Sequence, residues 1–511
     1  MRWVLAWCAA AILAAASSTA DAAWYEAQSK HFIIYADQNP RQLQAFGTSL
    51  EQFDQAVRWV MHYSDPPPGD GNRLTVFVLP NVDAVQKMAG KQGGYIAGFY
   101  QPRAEGCLAF VPGFLNADRT GGLDAMAVFF HEYTHHLQLQ NLDRPYPAWL
   151  IEGFATFMQT AQIQKDGSIL LGAPPEERSW GLLSADSIPL PSLLTEGVGK
   201  LDDTRRDLFY GQGWLLTHYL YTAQSRSGQL TPYLDLLNSG STQLDAAQQA
   251  FGDLKQLQHE LTVYKHQSSL MGMRVGADHA QPGTVAIRPM SPGGAAVILL
   301  RADLKLHGAK KDAAAILAQQ IRAVEAQYPG DELVEATLAE AQLDNANAAA
   351  AEVAADLALK SNPRNVEALI FKGRAVEDRV RETQSADKHQ SFENARSLLI
   401  AANKLDTEDP EPLYEYYRSY LLEGLRPTDN AIAAMHYASD LVPQDMGLRM
   451  NSAVAYLNEN KLTEARATLA PVAYSPHSEG AGEVARRLIA AIDAGKVHEA
   501  LLELGRASVQ H

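Results

Sequence analysis

The chain has 511 residues, 46% hydrophobic and 20% charged, with a formal net charge of −16 at pH 7. That length exceeds one ordinary core and implies two or three domains, and the composition is that of a folded globular protein rather than a disordered one. The acidic balance repels nucleic-acid phosphates and anionic lipid headgroups, so neither is expected as a partner, and no long Lys/Arg run offers a local exception.

The N-terminus MRWVLAWCAAAILAAASSTADAA places Arg2 before an apolar run from Trp3 to Ala15, followed by the small-x-small triplet Ala20-Asp21-Ala22. This layout predicts a signal peptide over 1–22 and an exported, periplasmic or secreted protein; a buried N-terminal helix is the alternative. Trp7 before Cys8 argues against a lipoprotein cleavage site, and no later segment is long and apolar enough to span a membrane after signal removal. With Cys8 removed, Cys107 is left without an intrachain disulfide partner. In GCLAFVPG it reads as a buried, inert thiol.

HFIIYAD (His31 to Asp37) and RLTVFVLP (Arg73 to Pro80) read as strands, separated by the helical pattern LQAFGTSLEQFDQAVRWVMHY and the breaker SDPPPGDGN. YIAGFYQ and CLAFVPG are two further short strands. LDAMAVFFHEYTHHLQLQN, Leu123 to Asn141, is long and periodic enough for a helix, with Gly121, Gly122 and Asp124 marking its start.

Within that helix, His131 and His135 are four apart and share a face, so both imidazoles can address one ion. Glu132 is turned about 100° around the axis, where a base for an attacking water belongs. His136 is expected to face solvent or make a local hydrogen bond, and Tyr133 to pack. Sixteen residues separate His135 from Glu152, which stands in a helix expected to begin at Pro147 (YPAWLIEGFATFMQTAQI). A carboxylate among Trp149, Leu150, Ile151 and Phe154 is costly to bury unless paired or metal-bound, which makes Glu152 the third ligand candidate for zinc. Gly153 removes a side chain where two helices need close approach. Another helix is expected in RDLFYGQGWLLTHYLYTAQ, Arg206 to Gln224.

The Gly/Pro-rich stretch from Gly276 to Gly294 is the expected linker between a domain at 23–275 and a helical domain at 295–511. Beyond it the chain turns to Ala-rich paired helices. Pro329 and Pro363 lie 34 positions apart (363 − 329), the tetratricopeptide period, with Ala351, Ala355 and Ala358 at small-residue positions of the second helix. A clearer copy sets Ala453 and Tyr456 on one helix and Ala465 and Leu469 on the next, while an insertion around RVRETQSADKHQSF stretches the period between copies. A non-repeating helical bundle is the alternative.

HEYTH followed by WLIEGFA resembles the gluzincin metallopeptidases, and the region from about Trp24 to Tyr264 resembles the peptidase-MA-like group of exported bacterial proteins. The resemblance implies an α+β zincin-like catalytic domain, followed here by the all-α tetratricopeptide-like solenoid. It implies zinc held by His131, His135 and Glu152, with Glu132 as general base. YGQG, Tyr210 to Gly213, resembles the Tyr-x-x-Gly segment that carries an oxyanion-stabilising tyrosine in aminopeptidase-like members. EGCLAFVPG stands where those aminopeptidases carry Gly-x-Met-Glu-Asn, the glutamate of which binds the substrate amine. Cleavage within a chain is therefore expected over removal of a terminal residue.

The expected function is an exported zinc metallopeptidase acting on a peptide or protein substrate, with repeats that bind a protein partner or position the substrate. A catalytically silent envelope-assembly scaffold on the same fold is the alternative, against which an intact Glu132 speaks. Hydrolysis of a non-peptide amide, and repeats that serve only as lid or spacer, also stay open.

Overall fold

The computed structural model describes residues 24–498 except 66–68, 91–97, 104–105, 114–124, 142–145, 176–181, 183–186, 198–200, 384–386 and 475–478. The expected signal segment, the start of the histidine-bearing helix at Gly121, Gly122 and Asp124, and part of the insertion lie outside the described residues. No helix among the described residues is long and apolar enough to cross a membrane.

Strands β1 (Tyr25–Gln28), β2 (Phe32–Ala36), β3 (Leu74–Leu79), β4 (Phe99–Gln101) and β5 (Leu108–Pro112) build the main sheet with the later β9 (Ala286–Pro289), in the order β4-β5-β3-β2-β1-β9. The central pairs β2/β3 and β3/β5 are parallel; β4, β1 and β9 are antiparallel to their neighbours. Parallel strands need both faces covered, which accounts for the nearly unbroken apolar run LTVFVL in β3. Helix α1 (Pro40–Met61) connects β2 to β3, and Asn39 caps it by accepting from Arg41 N. A second sheet joins β6 (Gln162–Ile163), β7 (Ile169–Leu171) and β8 (Met273–Val275).

Alternation in the strands sends two sets of side chains to two different layers. Phe32, Ile34, Val76 and Ala109 point to an inner face, where they join α1, α3 (Ala125–Gln140) and α4 (Ala148–Gln159) in the large core. That core continues through α5 (Leu190–Thr195), α6 (Asp203–Thr222), α7 (Leu230–Asn238), α8 (Gln243–Phe251) and α9 (Leu254–Tyr264). Phe77, Leu79, Leu108 and Phe110 point to the outer face, covered by α2 (Val82–Met88) and by Ile298 and Ala302 of α10 (Pro292–His307).

From α10 the chain is helical: α11 (Lys311–Glu325), α12 (Glu332–Asp344), α13 (Ala348–Ser361), α14 (Val366–Thr383), α15 (Lys388–Leu405), α16 (Pro410–Glu423), α17 (Asp429–Leu441), α18 (Met446–Asn458), α19 (Leu462–Tyr474) and α20 (Glu479–Asp493). Each packs on its neighbour in sequence, and α10, α12, α14 and α16 also touch in succession, as stacked helical repeats do. Ala351, Ala355 and Ala358 are fully buried, so their small side chains let α13 pack closely. Ala453, Ala465 and Leu469 share one cluster with Tyr456 against it, as their spacing predicted. The insertion lengthens α14 and α15 to 18 residues each.

The stretch 276–294 corrects the expectation of a free linker. Its Gly and Pro residues flank β9, which adds an edge strand to the main sheet with Tyr25 opposite Pro289, and Ser291 caps α10 by accepting from Gly294 N. An edge strand tolerates Pro289, because no ladder hydrogen bond is lost on its outer side. The helical array is therefore anchored to the sheet through β9 and α10. It touches it again where Gly71 N donates to Asp406 (3.4 Å) and the Asn72 side chain to the Glu408 carbonyl (2.9 Å). A cavity of about 920 Å³ remains between the outer face and the array, lined among others by Tyr35, Arg73, Arg301, Lys305, Asn365 and Asp409. Limited proteolysis is accordingly expected to spare 276–294 and thermal unfolding to take both regions in one transition. Early scission there that releases two folded fragments would show that the array swings free.

Candidate metal centre

Helix α3 packs against the sheet at β4 and β5, and α4 packs beside it on α3. Pro147 stands at the N-cap of α4 in extended conformation, and the helix it opens packs along α3. His131, His135 and Glu152 thereby converge. His135 Nε2 is 3.1 Å from His131 Nε2, and Glu152 Oε2 is 3.5 Å from His131 Nε2 and 3.4 Å from His135 Nε2. All three residues are buried, Glu152 completely.

Two glutamines set the chemistry of that meeting point. His131 Nδ1 lies 3.0 Å from Gln159 Oε1, and His135 Nδ1 lies 3.2 Å from Gln138 Oε1. The Gln138 amide in turn donates to the Ile151 carbonyl of α4 at 3.3 Å, which fixes its oxygen toward His135. With each Nδ1–H donating to an amide oxygen, both Nε2 atoms present lone pairs to one another and to the carboxylate. Three acceptors facing one point repel unless a cation sits between them. Short of a metal, a proton answers that need: burial works against charge on His135, but the Glu152 carboxylate, the hydrogen bond to it and the nearby Glu132 outweigh burial and raise its pKa to about 9.

The donor set fits zinc. Two imidazole nitrogens and a carboxylate oxygen are ordinary zinc ligands, and a tetrahedral centre with bonds near 2.1 Å has donor–donor edges of about 3.4 Å. The carboxylate–imidazole separations, 3.5 and 3.4 Å, match that value, and the two imidazole nitrogens, 3.1 Å apart, stand slightly closer.

Glu132 is half-buried on the next position around α3, and its charge acts on His135. Tyr210 reaches the same place from α6: its ring centroid is 6.2 Å from that of His131. A backbone crossing makes this possible. Gly153 of α4 lies so close to Gly213 of α6 that a Cβ there would fall 2.3 Å from the Gly213 carbonyl oxygen. Tyr210 stands one turn before that crossing and is carried to the mouth of the cluster.

One expectation about α3 needs correction. His136 faces the interior: its Nδ1 is 2.9 Å from the Tyr100 hydroxyl, and burial, with lesser contributions from Arg58 and His31, pushes its pKa down to about 3. Helix α3 is buried on nearly all sides, so its third histidine had no solvent to face. Tyr133 packs as expected, but its hydroxyl also donates to Asp54 at 2.7 Å. Cys107 is buried, and burial raises its thiol pKa.

Gln138 and Gln159 escaped the sequence reading, though the signal was present. Gln138 follows His135 by three positions and Gln159 follows Glu152 by seven, which are the same-face intervals of a helix.

A second cluster, His31, Glu51 and Asp54, also brings ligand-type atoms together. It already holds its own cations. His31 Nδ1 lies 2.8 Å from Glu51 and 3.3 Å from Asp54, Arg58 Nε is 2.9 Å from Asp54, and Lys30 reaches Asp65. Burial opposes charge on His31, but these carboxylates outweigh it and pull its pKa up. Acids and bases balance, and the cluster ties α1 to β2 and, through Tyr133, to α3.

No protein-family model matches the chain, and no curated protein matches it. Among solved structures it is similar to a thermophilic TPR protein of Thermus thermophilus, at 20% identity and a TM-score of 0.32, over 39% of this chain and 98% of that one.

Proposed function

We propose that the protein is an exported zinc metallopeptidase that cleaves within peptide chains. The reading is supported above all by the convergence of His131, His135 and Glu152 with both histidine Nδ1 atoms already committed, so that the remaining donors point at one place. His131, His135 and Glu152 would hold the zinc, which would supply Lewis-acid polarisation to a carbonyl oxygen and to water. Glu132 takes the proton from that water and delivers it to the departing amine. The Tyr210 hydroxyl donates to the oxyanion as the carbonyl carbon becomes tetrahedral. Gln138 and Gln159 hold the ring tautomers, and the buried helix pair beneath keeps bulk water from the ligands. The helical array, tetratricopeptide-like in this reading, binds a protein partner or the substrate.

The test uses the zinc-loaded full-length chain and a mixture of peptides from unfolded proteins, with new termini read by mass spectrometry. Internal cuts that stop with 1,10-phenanthroline and return with added zinc are expected. A fully zinc-loaded chain that cuts nothing in the mixture would favour the silent-scaffold reading.

A further inference from the structure

The array reaches the metal-bearing helix by a second route, around the end of the sheet. In the turn between α17 and α18, Gln444 is 1% exposed and its amide donates to Cys107 Sγ at 3.2 Å. Cys107 stands just before β5 on the inner face. The Tyr100 hydroxyl of β4 lies 3.2 Å from the same sulfur and 2.9 Å from His136 Nδ1. His136 stacks on Tyr133, with centroids 5.4 Å apart, and adjoins His135 on α3. Four side chains from three parts of the chain thus form one line of hydrogen bonds from the array to the turn that carries the zinc-ligand candidates.

Burial raises the pKa values of the Cys107 thiol and the Tyr100 phenol, so both stay neutral hydrogen-bonding groups. The line carries position, not charge. Gln444 is also an expensive choice for filling a gap. Its Oε1 is buried with no hydrogen-bond partner among the described residues, so the amide is kept there for what its nitrogen does. A low-dielectric interior makes each bond of such a line strong and each broken one costly, so displacing one end disturbs the other.

We propose that Gln444 and Tyr100 are positioning residues for the His131–His135–Glu152 centre, through which the helical array sets the placement of α3. This rests on the metal-centre reading above. The array is then part of the centre's scaffold, and a ligand that shifts the α17–α18 turn shifts the metal geometry.

Cobalt(II) titration of the full-length chain, followed by its visible absorption, tests this in wild type, Gln444→Leu, Tyr100→Phe and the double variant. Each single variant is expected to weaken cobalt binding about tenfold, as loss of an outer-shell support does, and to alter the visible bands. The double variant is expected to be no weaker than either single one, because both cut the same line. Ellman's reagent should modify Cys107 faster in Gln444→Leu, which reports that the turn has moved even if that variant is less stable. Tyr100→Phe keeps the ring and guards against loss of fold. Unchanged cobalt affinity and spectrum in both single variants would overturn the proposal, as would fully additive losses in the double. Failure of the wild type to bind cobalt would bring down the metal-centre reading itself, and this inference with it.

Discussion

Replacing His131 and His135 together by alanine is expected to take the zinc content of the purified chain from about one ion per molecule to background. Two of three protein donors are lost, and a lone carboxylate holds zinc weakly against water and buffer. Elemental analysis of wild type and variant measures it. The substitution has a second effect of calculable sign. Glu152 is wholly buried and faces His131 and His135 at 3.5 and 3.4 Å, so with both imidazoles gone its charge would lose the cation that they help to hold against it. Breaking a buried charge pair by removing one side costs about 3–5 kcal/mol, and the variant should melt well below wild type. Glu152→Gln in the double-alanine background removes that charge and should recover part of the melting temperature without restoring zinc. Equal zinc in wild type and the double-alanine variant would defeat the ligand assignment.

Glu132→Gln is expected to keep zinc and fold but lose turnover on any peptide the wild type cuts, by about a hundred- to ten-thousandfold. Glutamine has nearly the shape of glutamate and cannot accept a proton, so the change isolates the base. Glu132 is half-buried, which lets it meet substrate while the ligands behind it stay covered. Tyr210→Phe is expected to cost about a hundred- to a thousandfold, mainly in kcat, because the bond it removes strengthens only as charge develops on the oxygen. Turnover close to wild type in Glu132→Gln, with zinc retained, would remove Glu132 from the reaction. The same result in Tyr210→Phe would return that ring to packing beside His131.

The sequence alone determined what local periodicity encodes. Histidines four apart and a carboxylate amid apolar residues were legible because helix geometry converts spacing into a shared face. The alanines of α13 and the pair α18–α19 were legible because close-packed helices demand small residues at fixed intervals. Strands β2, β3 and β5 were legible because a sheet covered on both faces is apolar throughout.

Only the tertiary structure decided what depends on partners distant in the chain. The stretch 276–294 carries Gly and Pro signals identical in a linker and in the turns around an edge strand; pairing of β9 with β1, the first strand of the chain, made it part of the sheet. His136 looked like a surface residue until α3 proved buried on nearly all sides and Tyr100 met it. Tyr210 came to the site through the Gly153–Gly213 crossing, and Gln444 came to Cys107 through the closure of the array around the sheet. The reason is the same in each case. Spacing along one element is fixed by its own backbone, whereas contacts between elements are chosen by which buried surfaces fit together, and that choice is made by the whole chain at once.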